Sequence, residues 1–308
     1  MNKIPGFVLI MFAASLWALD ALLRTHLTFA IPSIWIVFFE HLAGVLLFLP
    51  VLYNSRSVFN KLKKRDWMIL LLMTIVSSVL GTLLFTEALN KSFAVGDFAS
   101  PVLLQKLQPM FVIMLSTIFL KEVLSYRFLL LAVVALIGSY MISFGTDSVF
   151  LDFSSKLEVS LLAVGAAVAW GAGTVMSKHL LTKVDAAPAT ALRMLLAVPI
   201  SFAVALLIGQ DLQLSAIGSA EILRIILIAL STGAVAILIY YKGLIKTKAS
   251  VSAFAELAFP VASIFIAISV LNPYGQPQTL TLANSFGVII LLISILLIST
   301  ENESKKSI

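Results

Sequence analysis

The chain has 308 residues, of which 60% are hydrophobic and 12% charged, where a soluble domain carries roughly 25% charged residues. A water-facing core cannot hold that much apolar area, so a soluble globular domain is excluded and lipid is the expected solvent. The formal charge of +6 does not indicate nucleic acid, because its basic residues lie in short loops between apolar runs, as membrane orientation and contact with anionic lipid require.

Taken in order, the apolar runs predict helical spans at about 4–25, 32–53, 66–89, 94–119, 126–145, 158–181, 187–209, 221–243, 249–271 and 280–299. Each is near the ~20 residues that cross a hydrocarbon core. They are too long for membrane strands and lack sustained alternation, so a barrel is excluded. The first run, IPGFVLIMFAASLWALDALL, exceeds a signal-peptide core and has no clear small-residue cleavage site, so it is read as a retained helix. Pro5, Pro32, Pro50 and Pro188 fall near predicted ends, where a missing N–H costs least.

With the N-terminus inside, ten spans place Lys3, Arg56, Lys61, Lys63, Lys64, Arg65, Lys121, Arg127, Lys178, Lys183, Lys242, Lys246, Lys248, Lys305 and Lys306 on the cytoplasmic side. Only Arg24, Lys91, Lys156 and Arg224 fall outside, and Lys106 and Arg193 remain within spans. Merging or splitting one run would scramble this separation, so the count, the orientation and two cytoplasmic termini are expected together.

The two halves also echo each other. SLWALDALL matches VAWGAGTVM, pairing Trp17 with Trp170; EALNKSFA matches KGLIKTKA; QKLQPMF matches ELAFPVA, pairing Gln105 with Glu256 and Pro109 with Pro260. Five spans per copy is odd, so the second copy enters from the opposite side. The expected fold is an all-α integral membrane protein of ten transmembrane helices in two inverted five-helix repeats. The expected units are residues 1–145 and 158–300, with an outer linker at 146–157 and a cytoplasmic tail at 301–308. Secondary transporters built this way hold their substrate near the midplane between repeats.

Charged side chains inside a span cost about 2.5–3.5 kcal/mol on insertion scales and face a cavity or a partner. Lys106, about twelve residues into the fourth span beside Gln105 and Gln108, is a candidate substrate ligand or a fixed partner of Glu40. Glu40 and His41 lie in the outer half of the second span; being adjacent, they point ~100° apart and are not expected to share a contact. Arg193 and Glu256 form either an inner ion pair or, through Arg193, a site for a substrate carboxylate. Asp20 lies one turn after Trp17 and one turn before Arg24, which suggests a helix-end ion pair or a site. Trp17 and Trp170 are candidates to stack a planar substrate or a cation. Tyr240 and Tyr241 read as an interfacial aromatic belt. Glu40, Glu256, Asp20 and Glu87 are the acids that could carry a coupling proton. No metal site is expected from three scattered His and no Cys, and no cofactor motif is present.

The Trp17 and Trp170 segments, the ALNKSFA turn, and LLQKLQPMFVIMLSTIFLKEVLSYRF running into LIGSYMISFG resemble EamA-type members of the drug/metabolite transporter (DMT) superfamily over almost the whole chain. Such proteins often carry Arg in the second span, where this chain reads FFEHLAG. The resemblance implies metabolite transport by alternating access, often export of amino acids or related compounds. The expected protein is therefore a multi-pass transporter of a bacterial inner membrane with the lipid bilayer and a small molecule as partners, no nucleic acid, and a homodimer as one admissible state. An intramembrane enzyme acting on lipid or a lipid-linked substrate is the alternative.

Overall fold

The computed structural model describes residues 4–95, 101, 104–145, 157–212, 217–270 and 276–304. Residues 146–156 of the expected linker, the charges of Lys3, Lys156, Lys305 and Lys306, and residues 96–100 and 102–103 of the fourth expected span lie outside them.

All regular structure among the described residues is helical. Helix α1 (Gly6–Thr28) starts after Pro5 and α2 (Ser33–Asn54) after Pro32, both at positions where proline removes no helical hydrogen bond. A single turn, α3 (Arg56–Phe59), leads to α4 (Lys64–Met73), a π-helical stretch (Thr74–Gly81) and α5 (Thr82–Val95). Next come α6 (Gln108–Phe119), α7 (Tyr126–Phe144), α8 (Leu157–Leu180) and α9 (Ala186–Leu207). Helices α10 (Ser219–Leu230), α11 (Ala234–Lys246), α12 (Ala249–Ala255), α13 (Ala258–Ala267) and α14 (Leu282–Ser304) complete the chain.

Among the described residues, eight helical stretches are long and apolar enough to cross a membrane: Ser33–Asn54, Lys64–Ser92, Tyr126–Phe144, Leu157–Leu180, Ala186–Leu207, Ser219–Lys246, Ala249–Ala267 and Leu282–Thr300. Gly6–Asp20 and Gln108–Phe119 are shorter apolar helices where the first and fourth spans are expected. Polarity is inverted relative to a soluble protein. Leu207, Val270 and Leu282 are exposed while Arg24, Glu40, His41, Lys106 and Arg193 are buried, as a bundle solvated by lipid requires.

The two halves of the chain interlock. The main pairings join a helix from before residue 146 to one from after 156: α7 with α14, α2 with α9, α1 with α11 and α13, and α8 with the π-helical stretch, α5 and α6. At the α7–α14 crossing the backbones nearly touch. A Cβ on Gly287 would lie 2.8 Å from Gly138 O and Ile142 N, so only glycine allows the approach. Glu122, just after α6, accepts from Ala249 N (2.7 Å), Ser250 N (3.0 Å) and Ser250 Oγ (2.6 Å). It thereby satisfies the free amides at the start of α12 in the other half. Glu122 is thus a clasp between halves.

Four departures from regular helix occur at corresponding places of the two halves. The π-helical stretch interrupts the third expected span, and a turn at Ser231–Gly233 interrupts the eighth. Turns at residues 106–107 and 256–257 interrupt the fourth and ninth, each with Leu in a tight helical conformation: Leu107 at φ −73°, ψ −12° and Leu257 at φ −67°, ψ 0°. Pro109 and Pro260 lie in the first turn of the helix that follows each break and remove the amide that would bridge it. Irregular backbone at membrane depth is tolerated where it lines a cavity or is covered by protein, and residues from all four breaks line one cavity.

Gly287→Ala is expected to push α14 off α7 and destabilise the fold by about 1–3 kcal/mol, seen as a lower unfolding temperature of the purified protein in detergent.

Candidate functional site

The cavity has a volume of about 220 Å³. One water occupies roughly 10–15 Å³ of such space, so it accommodates a metabolite. Of the ten residues singled out from sequence, nine line it: Trp17, Asp20, Glu40, His41, Gln105, Lys106, Trp170, Arg193 and Glu256. Glu87 does not. Phe85 and Thr86 hold the cavity-facing positions of α5, and the next residue turns a further ~100° away.

One wall is ionic. Arg24 of α1 pairs with Asp20 one turn earlier, and its Nη2 donates to Glu40 Oε2 of α2 at 2.5 Å. Thr232, at the turn between α10 and α11, donates to Asp20 Oδ1 (2.6 Å). The expected helix-end pair is therefore the centre of a network joining α1, α2 and the α10–α11 turn. Glu40 is thereby taken from Lys106, whose Nζ instead donates to Ser143 Oγ of α7 and lies 5.9 Å from the Phe144 ring centroid. The structure thus corrects the Lys106–Glu40 pairing: Arg24 reaches Glu40 first, from a helix end that sequence spacing does not relate to it. His41 Nδ1 lies 2.7 Å from Val37 O and 3.5 Å from Glu40 Oε1. The two side chains take different partners, Arg24 and the Val37 carbonyl, while both line the cavity.

The opposite wall separates the other expected pair. Arg193 of α9 donates to Tyr241 Oη (2.9 Å) and Ser77 Oγ (3.1 Å), with no carboxylate partner among the described residues. Glu256, half-buried at the α12–α13 break, accepts from Tyr240 OH (2.8 Å) and Gln108 Nε2 (2.8 Å). The Arg193–Glu256 ion pair is thus replaced by two hydrogen-bonded clusters, divided by the adjacent tyrosines of α11. Tyr240 and Tyr241 are 4% and 0% exposed, so they form no interfacial belt; their hydroxyls organise the interior.

The two indoles are held by other rings. Trp17 lies 5.4 Å from Tyr240 and Trp170 lies 5.2 Å from Phe85, centroid to centroid, both tilted. Trp170 also sits against Gly81, where a Cβ would lie 2.9 Å from its ring, and a Cβ on Gly173 would lie 2.3 Å from Ser77. These contacts explain the small-residue run of α8: it brings the π-helical stretch, with Ser77 and Ser78, close enough to line the cavity. The hydroxyls of Ser77, Ser78, Thr174 and Thr232 escaped the sequence reading, because isolated Ser and Thr in apolar spans carry no spacing signal. Tyr240, Gln108 and Phe85 were visible as residues but not as members of this site.

Beyond this cavity, toward the end of the bundle where α4 and α9 begin, the interior closes. Leu70, Met73, Leu180, Tyr241 and Leu244 are buried there. Asp66 at the start of α4 pairs with Lys183, and Lys178 donates to the carbonyls of Leu244 (2.7 Å) and Ile245 (3.1 Å). Among the described residues no group of three His, Asp or Glu side chains is placed to hold a metal ion.

A bundle of membrane-crossing helices with discontinuous segments around a polar, aromatic-walled cavity is the build of a multi-pass membrane transporter. The EamA-like transporter family model matches residues 4–144 and 158–300, and the chain belongs to that family. It is 31% identical over 308 residues to the riboflavin transporter ImpX of Fusobacterium nucleatum, covering 98% of this chain and 99% of that one. An uncharacterised transporter of Methanothermobacter thermautotrophicus is 27% identical over 198 residues, 60% of this chain and 56% of its own. A solved crystal structure, 16% identical, superposes with a TM-score of 0.76 over 97% of this chain and 98% of its own, which shows the shared fold.

Removing Arg24 leaves two acids facing one wall without a cation. Arg24→Gln is expected to destabilise the protein by about 3–5 kcal/mol, and the Arg24→Gln/Glu40→Gln double variant to recover part of that loss, in thermal unfolding followed by tryptophan fluorescence.

Proposed function

We propose that this chain is a secondary transporter of the bacterial cell membrane that carries a small, planar heteroaromatic molecule of the flavin type by alternating access. Ten spans form two inverted five-helix units, residues 1–145 and 158–300, with both termini cytoplasmic. The eight long apolar helices together with the two shorter ones at the expected positions support that count. The observation that carries the reading is the cavity itself, where breaks from both halves meet between two indoles. Rocking one unit against the other around such breaks would open the cavity to alternate sides. The Asp66–Lys183 pair would separate when the cavity opens at that end.

Amino acids or related compounds, expected from resemblance alone, give way to a planar cargo for two reasons. The cavity offers Trp17, Phe85, Trp170 and Tyr240 as walls, and base-like rings gain ~1–3 kcal/mol on each such stacking partner. A full-length relative is a riboflavin transporter. Trp17, His41, Gln105, Lys106, Trp170 and Arg193 would contact the cargo. Coupling to protons would use Glu256 or Glu40; Arg24 pairs with both Asp20 and Glu40, but Asp20 is held by Thr232 as well. Direction would follow the gradients across the membrane, so export is not a property of the cavity.

Purified protein in proteoliposomes is expected to show saturable riboflavin counterflow, read by flavin fluorescence, and Trp17→Ala or Trp170→Ala is expected to reduce it about tenfold. Absence of counterflow removes the flavin cargo. An imposed pH gradient is expected to drive accumulation that Glu256→Gln or Glu40→Gln abolishes. Flux that ignores both the gradient and the substitutions removes proton coupling.

A further inference from the structure

Glu256 differs from the other acids of the cavity. Asp20 and Glu40 are bound to the Arg24 guanidinium. Glu256 has no salt bridge among the described residues, and its two recorded side-chain partners are neutral: Tyr240 OH on Oε1 and Gln108 Nε2 on Oε2, both at 2.8 Å. Tyr240 is itself held by Thr174 at 3.0 Å. Because its single proton goes to Glu256, its oxygen accepts from Thr174. The carboxylate is thus fixed in direction by two helices while retaining unused acceptor capacity, since an ionised carboxylate has about four acceptor directions.

Gln108 completes the pattern. The atom it presents to a carboxylate must be its amide nitrogen, because the carboxylate only accepts. That nitrogen carries a second proton not used by Glu256. One hydrogen bond therefore places a spare N–H donor beside a spare carboxylate acceptor, at the turns that break the fourth and ninth expected spans. Both residues line the cavity next to Trp17, which packs on Tyr240.

We infer that Gln108 and Glu256 together read a cis-amide edge, a ring N–H next to a ring C=O, such as the imide of a flavin, a pteridine or a pyrimidine. The ring C=O accepts from Gln108 and the ring N–H donates to Glu256, while the ring plane lies against Trp17. Side-chain amides read adenine in DNA by the same pairing of one donor and one acceptor. An ammonium group offers donors alone and would leave the Gln108 proton unpaired, which disfavours simple amines at this edge. This inference rests on the planar-cargo reading and names the part of the ring that decides selection. Glu256 and Gln108 become specificity-determining residues.

The test compares riboflavin with N3-methylriboflavin, and thymidine with N3-methylthymidine, for binding to the purified protein in nanodiscs by calorimetry. The N-methyl group replaces the one ring N–H donor of each molecule, and the Glu256 and Gln108 variants separate loss of that donor from the bulk of the methyl. At least one imide is expected to bind about tenfold to a hundredfold more tightly than its methylated twin, the worth of one hydrogen bond to a charged group. Glu256→Leu is expected to erase the difference while the methylated twin binds as before. Gln108→Met is expected to shrink it, and serves if Glu256→Leu fails to fold. Equal affinity within both pairs, no binding of either pair, or discrimination that survives in Glu256→Leu and Gln108→Met overturns the inference. Riboflavin counterflow without discrimination overturns it alone. Discrimination within the thymidine pair without riboflavin counterflow upholds the edge and overturns the flavin cargo.

Discussion

Charge inside an apolar bundle is the constraint on which the rest depends. Lipid accepts the leucines and valines on the outside, so the charged and hydroxylated side chains must find partners inside. Arg24 is the busiest of them, holding two acids and, through Asp20, the α10–α11 turn. Because it satisfies both Asp20 and Glu40, Lys106, Arg193 and Glu256 are left with neutral partners among the described residues. Those three face the same space, and that distribution makes the space a site instead of a set of internal salt bridges.

Backbone irregularity and side-chain chemistry coincide. Regular helices bury their own amides and carbonyls and leave little for a ligand. The breaks at 106–107, 231–233 and 256–257 and the π-helical stretch supply Lys106, Thr232, Glu256 and Ser77 to the cavity. Glycine sets how closely these segments meet, as where Gly173 lies against Ser77. The same economy holds at α7–α14, away from the cavity, where glycines let two helices clamp the bundle.

Family membership and site geometry bear on different questions. Membership of the EamA-like transporters speaks to the kind of work done. The selection of a cargo rests on side chains, because related bundles can line one cavity shape with different donors and acceptors. Here the aromatic walls and the Gln108–Glu256 edge lead to a ring with both a flat face and a hydrogen-bonding rim.

Much of this was legible in the chain itself. Composition and apolar runs determined a helical membrane protein, and charge inside the spans picked out Lys106, Arg193, Glu40 and Glu256, because burial energy depends on residue type and depth alone. Pro109 and Pro260 stood out as a pair aligned by the repeat, while the breaks beside them appear only in the structure. Partner choice was decided only by the tertiary structure. Arg24 meets Glu40 across sixteen residues, Gln108 meets Glu256 across 148, and Arg193 meets Tyr241 across 48. No helical periodicity relates such positions. They meet because α1 packs on α2, α6 on α12 and α9 on α11, and packing is a property of whole surfaces that no single segment encodes.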